Sequence, residues 1–108
     1  MTLHAFDEEA DSIHRGVSLN LDVLCAPLGP PAVVPPVPPL QPGQTNRQRI
    51  DTLTSGCGAN CHNSMINPIG FSFEHFDGMG QYRDMENGGL PIDSSGSYTF
   101  NEGPKTFQ

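Results

Sequence analysis

"SGCGANCHN", residues 55–63, decides how the rest of this chain is read. Its closing Cys61-His62 pair is the ending of C-x-x-C-H, the pattern of c-type haem attachment. Cys57 stands one residue earlier than that pattern needs, which makes the stretch C-x-x-x-C-H. Three chemistries compete for it. Haem attachment needs two sulfurs that span the porphyrin vinyls and a histidine directly beneath the iron. The Cys61-His62 step meets the second demand, since one sulfur reaches the ring edge while the next side chain reaches its centre. The surplus residue can bulge outward, and Gly58 and Ala59 are small enough to let it. Zinc asks for four tetrahedral ligands. Cys57 and Cys61 supply two, with Cys25 or His75 as further candidates, but adjacent Cys61 and His62 point in different directions and no second C-x-x-C is present. A disulfide, Cys57 to Cys61 or Cys25 to either, leaves His62 without a role.

The bulk properties narrow the setting. A chain of 108 residues with 35% apolar residues and no Trp has a small core, and twelve glycines and eleven prolines imply much turn and extended structure. Such a domain gains from a staple: a metal, a disulfide or a cofactor. A net charge of -7 argues against nucleic acid, whose binding needs Lys and Arg against the phosphates. No apolar run has the length of a membrane span. The opening "MTLHAFDEEADS" is acidic and does not read as a signal peptide. Cysteine usage nevertheless suggests an oxidising compartment, so the expectation is a piece of a larger exported protein.

Local signals order the chain as a single domain over residues 1–108. In "SIHRGVSLNLDVLC", Ile13, Val17, Leu21 and Leu24 fall at helical spacing and predict a helix over about 13–24, with Gly16 a weak point. "APLGPPAVVPPVPPLQPG", residues 26–43, holds eight of the eleven prolines and reads as a stiff extended strap. Thr45 and Gln48 form a capping box for a second helix that Gly56 ends. A third, short helix opens at the cysteine site and breaks at Asn67-Pro68. Phe71, Phe73 and Phe76 supply aromatic core from a short helix or turn. Asn87-Gly88 and Ser95-Gly96 are read as hairpin turns, giving two or three short strands between residues 81 and 100 and a frayed tail.

The blocks around the site, "SIHRGV", "TNRQRI", "CGANCHNSMINPIGFSFEHFDGMGQYRD" and "NGGLPIDSSGSY", resemble in order the planctomycete- and myxobacterial-type cytochrome c modules of large secreted bacterial proteins. The resemblance runs from about residue 3 to residue 100. It implies a covalent haem c held by Cys57 and Cys61, iron ligation by His62, an extracytoplasmic location and flanking domains. It implies no defined reaction. Two departures mark a subtype: the longer cysteine spacer, and a His62-to-Pro68 distance one residue longer than in members reading C-H-x-x-M-D-P.

The residue opposite His62 then decides function, because Met or His there makes an electron carrier and an open face permits peroxide or oxygen chemistry. His14, on the first helix, is the favoured distal ligand. Met79, between two glycines in a loop, is the alternative, with Met85, His4 and His75 behind them. Met65 shares the face of His62 and packs instead. Arg15 and Arg83 are candidates for the haem propionates, since a guanidinium matches a carboxylate bidentately. Cys25 is expected to be a buried thiol. The expected fold is a mainly α, cytochrome c-like haem domain with the proline strap and a short C-terminal β-hairpin. The expected function is electron transfer to a redox partner protein or neighbouring domain. The competing functions are a peroxidase-like haem enzyme with an open sixth site, and a structural module stapled by haem or a disulfide.

Overall fold

A computed structural model describes residues 10–30, 35–56 and 61–108. His4, part of the proline run and Cys57 lie outside the described residues. Asp11 opens helix α1, Ser12–Ser18, by accepting the His14 backbone N–H at 3.1 Å. The chain continues without interruption into a π-turn, Leu19–Val23, so the predicted 13–24 helix exists with a wider last turn. Its inward face differs from the expected one. The buried side is Ser12, Arg15, Gly16 and Asn20, while Leu21 and Val23 are exposed. The apolar positions do recur at helical spacing, but the residues between them carry the packing.

Thr45 starts helix α2, Asn46–Thr54, with both arms of the capping box formed: Gln48 N–H to Thr45 Oγ1 at 3.2 Å and Thr45 N–H to Gln48 Oε1 at 2.9 Å. A second π-turn, His62–Ile66, follows Cys61 and runs straight into helix α3, Asn67–Phe71. The expected break at Asn67-Pro68 does not occur. Pro68 sits in the first turn of α3, where its fixed φ suits the helix.

The C-terminal third is two antiparallel hairpins. Strands β1, Met85–Glu86, and β2, Leu90–Pro91, flank a loop in which Asn87 (φ 44°) and Gly88 (φ 82°) take the left-handed conformations their types tolerate. Strands β3, Gly96–Phe100, and β4, Gly103–Phe107, pair from Gly96↔Phe107 to Phe100↔Gly103. Two expectations are corrected there. The second hairpin turn falls at Asn101-Glu102, and the tail forms β4. Gly96 belongs to a strand because it lies against the Phe107 ring and the Pro68 carbonyl, where a Cβ would come within 3.0 and 3.1 Å. The result is a small domain of mixed helix and strand, with a radius of gyration of 13.4 Å. The expected mainly α class is too narrow. No helix among the described residues is long and apolar enough to cross a membrane.

The core is mostly polar. The buried apolar residues are Ala10, Ile50, Ile66, Phe71 and Tyr98. Around them Tyr98 Oη donates to Asn20 Oδ1 at 2.5 Å, and Asn20 Nδ2 donates to the Gly16 and Met65 carbonyls at 2.8 Å each. That chain of bonds ties β3 to α1 and to the second π-turn. In the proline segment, the Pro38 carbonyl accepts from Arg49 at 3.1 Å, and the Gln41 and Gln44 carbonyls accept from Asn87 at 2.8 and 2.7 Å. Arg47 lies 4.6 Å over the Phe71 ring and donates to the Asp93 and Ser95 carbonyls.

Helices α1 and α3 meet backbone to backbone. A Cβ on Gly16 would stand 2.1 Å from the Ile66 carbonyl oxygen, and one on Gly70 2.1 Å from that of Ser12. Helix propensity alone favours alanine over glycine by about 1 kcal/mol. Overpacking costs about 1–3 kcal/mol, and these distances demand a backbone shift. Gly16→Ala and Gly70→Ala are therefore expected to lower the urea midpoint. Gly29→Ala, with nothing within 4 Å of the new methyl, is expected to leave it unchanged. Equal midpoints for the three variants would contradict the backbone contact.

Candidate functional site

The second π-turn carries His62 at its first position, directly after Cys61. The Met65 and Ile66 N–H groups both reach the Cys61 carbonyl at 3.0 Å, and the Asn67 N–H reaches that of His62. The Cys61 thiol is exposed and forms no disulfide. The His62 ring is half-buried, with Nδ1 3.2 Å from Asn67 Oδ1. Asn67 is 1% exposed, and its Nδ2 donates to Thr54 Oγ1 at 2.9 Å. The histidine is thus tied through one amide to the end of α2. The sequence reading missed both Asn67 and Thr54. Asn67-Pro68 predicts a helix break, and the one signal for a further role is an amide within a turn of the histidine.

The other candidates range from exposed to half-buried. His14 is exposed, and its Nδ1 is 2.6 Å from Asp11 Oδ2 at the head of α1. Met79 tops a tight loop in which Asp77 Oδ1 accepts the Met79 and Gln81 N–H groups at 2.9 Å each, and its side chain is 73% exposed. Met85 is exposed on β1. His75 is half-buried and stacked on Tyr82 with centroids 5.1 Å apart. Its Nδ1 is 2.8 Å from the Arg83 carbonyl, an acceptor, so Nδ1 carries the proton. Cys25, expected to be buried, is exposed and takes a left-handed backbone (φ 51°). Among the described residues no three of His, Cys, Asp or Glu gather as a metal site.

The two arginines differ. Arg15 is fully buried, and its guanidinium closes the chain after α3 by donating to the carbonyls of Phe73, Phe76 and Asp77 at 2.9, 2.8 and 3.0 Å. Burial pulls Arg15 below its ordinary value, while Glu74 and Asp11 push it back up. Arg83 lies 3.8 Å from Glu86, and its Nε and Nη2 make no hydrogen bond among the described residues. Beside Arg15 sits a buried carboxyl that the sequence reading did not single out. Glu74 accepts from the Ser12 hydroxyl and from Asn46 Nδ2 at 3.0 Å. Burial raises its pKa, against the lowering effect of those two donors.

Covalent haem asks for two sulfurs and an adjacent imidazole with one ring nitrogen anchored. Of these the described residues supply the exposed Cys61 and the Asn67-held His62, and both fit the group. The sequence profile of PSCyt3, described as protein of unknown function (DUF1588), matches residues 1–86. The chain belongs to this family, a planctomycete-type cytochrome c module family. The matched span ends in β1, so β2, β3 and β4 lie beyond it. No curated protein and no solved structure matches the chain.

The raised Glu74 pKa gives stability a sign. Between the ordinary value of 4.5 and the raised folded value, the native state binds a proton that the unfolded chain does not. Stability from this group is therefore greatest at the acid end and falls as pH rises through the folded value. Glu74→Gln removes that proton uptake. Urea midpoints measured from pH 4.5 upward are expected to move in favour of the variant relative to wild type. A difference independent of pH would contradict the buried carboxyl's role.

Proposed function

We propose that this domain is a c-type cytochrome unit. Cys57 and Cys61 form the thioethers, His62 ligates the iron, and the task is electron transfer within an extracytoplasmic bacterial protein. The observation that carries the reading is the Cys61-His62 step at the head of a π-turn, with the imidazole anchored by a buried amide. Membership of a family named for a cytochrome supports it. The bound haem would supply a one-electron couple. The protein's part is to hold the His62 ring in one orientation in both oxidation states, which keeps rearrangement small. Arg15 has its Nη1 and Nη2 engaged on three backbone carbonyls. Arg83 stays a candidate for a propionate, with its Nε and Nη2 buried and Nη2 3.8 Å from Glu86. His14 remains the favoured distal ligand and Met79 the alternative. The electron would pass to a redox partner protein or a neighbouring domain.

Protein produced with export and haem-attachment machinery is expected to show one added haem by intact mass and a c-type pyridine haemochrome spectrum. A Cys57→Ser/Cys61→Ser double variant is expected to show neither. Absence of haem from the wild type would sink the proposal. A low-spin spectrum in both redox states, inert to cyanide and carbon monoxide, is expected of the electron carrier. Ready binding of either ligand would favour a peroxidase-like enzyme instead.

A further inference from the structure

We infer that Asn67 is a positioning residue for His62: its side-chain amide, locked by Thr54, fixes the imidazole in the tautomer that bears its proton on Nδ1 and its lone pair on Nε2. The consequence at an iron rests on the proposed function; the tautomer does not. An asparagine amide has one accepting end and one donating end, and the end that faces a histidine selects the tautomer. Thr54 decides which end that is. Its hydroxyl proton goes to the Ile50 carbonyl at 2.9 Å, a bond within α2. The Thr54 oxygen can then only accept from Asn67, and the group that donates, at 2.9 Å, is Nδ2. Oδ1 is left facing His62 Nδ1 at 3.2 Å. A carbonyl oxygen has no proton to give, so Nδ1 must donate.

The direction of this relay originates in a backbone carbonyl, which cannot invert. Turning the Asn67 amide over would set its oxygen against a Thr54 oxygen whose proton is already given to the Ile50 carbonyl. Ile50, Thr54 and Asn67 are 2%, 4% and 1% exposed, so water does not compete for the groups. The backbone supplies the reach. Residues five apart point away from each other on an α-helix. Here the Asn67 N–H bonds to the His62 carbonyl across the π-turn, and the wider turn brings residue 67 over residue 62.

An imidazole that donates its second ring N–H to an acceptor is a more basic ligand through the other nitrogen, and such partners are worth about 10–100-fold in metal affinity. The test uses the full chain and two readouts. In haem-free protein with 15N-labelled histidine, at a pH where imidazole is neutral, His62 is expected as the Nδ1–H tautomer. Asn67→Asp keeps it. Asn67→Leu and Thr54→Val are expected to give a mixture, and Thr54→Ser to restore a single form. An Nε2–H tautomer in wild type, or a tautomer unmoved by Asn67→Leu, would overturn the inference. In haem-loaded protein Asn67→Asp is expected to lower the reduction potential and Asn67→Leu to raise it. Displacement of His62 by added imidazole in the Asn67→Leu variant should need about 10–100-fold less ligand. Shifts of the same sign in both variants would mark a merely structural role and overturn it too. If Asn67→Leu does not fold, Thr54→Val and Thr54→Ser carry the tautomer decision. A chain that takes up no haem while the tautomers behave as expected would remove the proposed function and leave this inference standing.

Discussion

Two glycines let α1 lie backbone against backbone on the second π-turn and α3, and most of the domain follows from that. Gly16 lies against the Ile66 carbonyl and Gly70 against that of Ser12. Two helices this close leave room only for small or backbone-seeking residues beside the seam. Ser12 and Asn20 fit that description, and Arg15 escapes along the seam to the carbonyls of Phe73, Phe76 and Asp77. Those three bonds gather the chain after α3 into its turns. The glycines therefore fix the course of a segment in which neither of them lies.

A seam of this kind sets the energetics of the core. Polar residues outnumber apolar ones among the buried positions, so hydrophobic transfer cannot supply most of the specificity. A satisfied internal hydrogen bond contributes only about 0.5–1.5 kcal/mol, but leaving a buried partner unpaired costs about 1–3 kcal/mol. The asymmetry makes the network selective: Asn46 alone bonds Ala10, Ser12, Glu74 and Glu86, and any rearrangement strands several groups together. The exposure of Leu21, Val23, Met79, Tyr82 and Met85 is consistent with a chain whose apolar residues are not all spent on its own interior.

What could be read from the sequence was local. The Thr45–Gln48 capping box and the Asn87-Gly88 turn depend on neighbours in the chain, and both form as their residue types dictate. The Cys61-His62 step was equally plain as a motif. Readings that assumed an apolar interior went astray. Hydrophobic periodicity placed α1 correctly along the chain and turned the wrong face inward, because its buried stripe is Ser12, Arg15, Gly16 and Asn20. Gly16 looked like a weakness when it is the point of contact. Ser95-Gly96 looked like a turn because a glycine needed for closeness and one needed for φ look alike in a sequence. Thr54 and Asn67 were invisible as a pair, since 13 positions and the cysteine motif separate them in the chain.

The π-turn explains how an altered spacing retains its geometry. Contact spacing on an α-helix is four positions, and Asn67, the residue before the proline, stands five after His62. Had the helix stayed α, Asn67 would have rotated away from His62 and Pro68 out of the first turn of α3. Widening a single turn absorbs the surplus: the Asn67 N–H reaches back five residues to the His62 carbonyl, and α3 begins in register. The spacing that made the motif look irregular is thus compatible with a direct contact between His62 and the side chain before the proline. The cost is confined to one turn whose own residues, Asn63 and Ser64, face solvent.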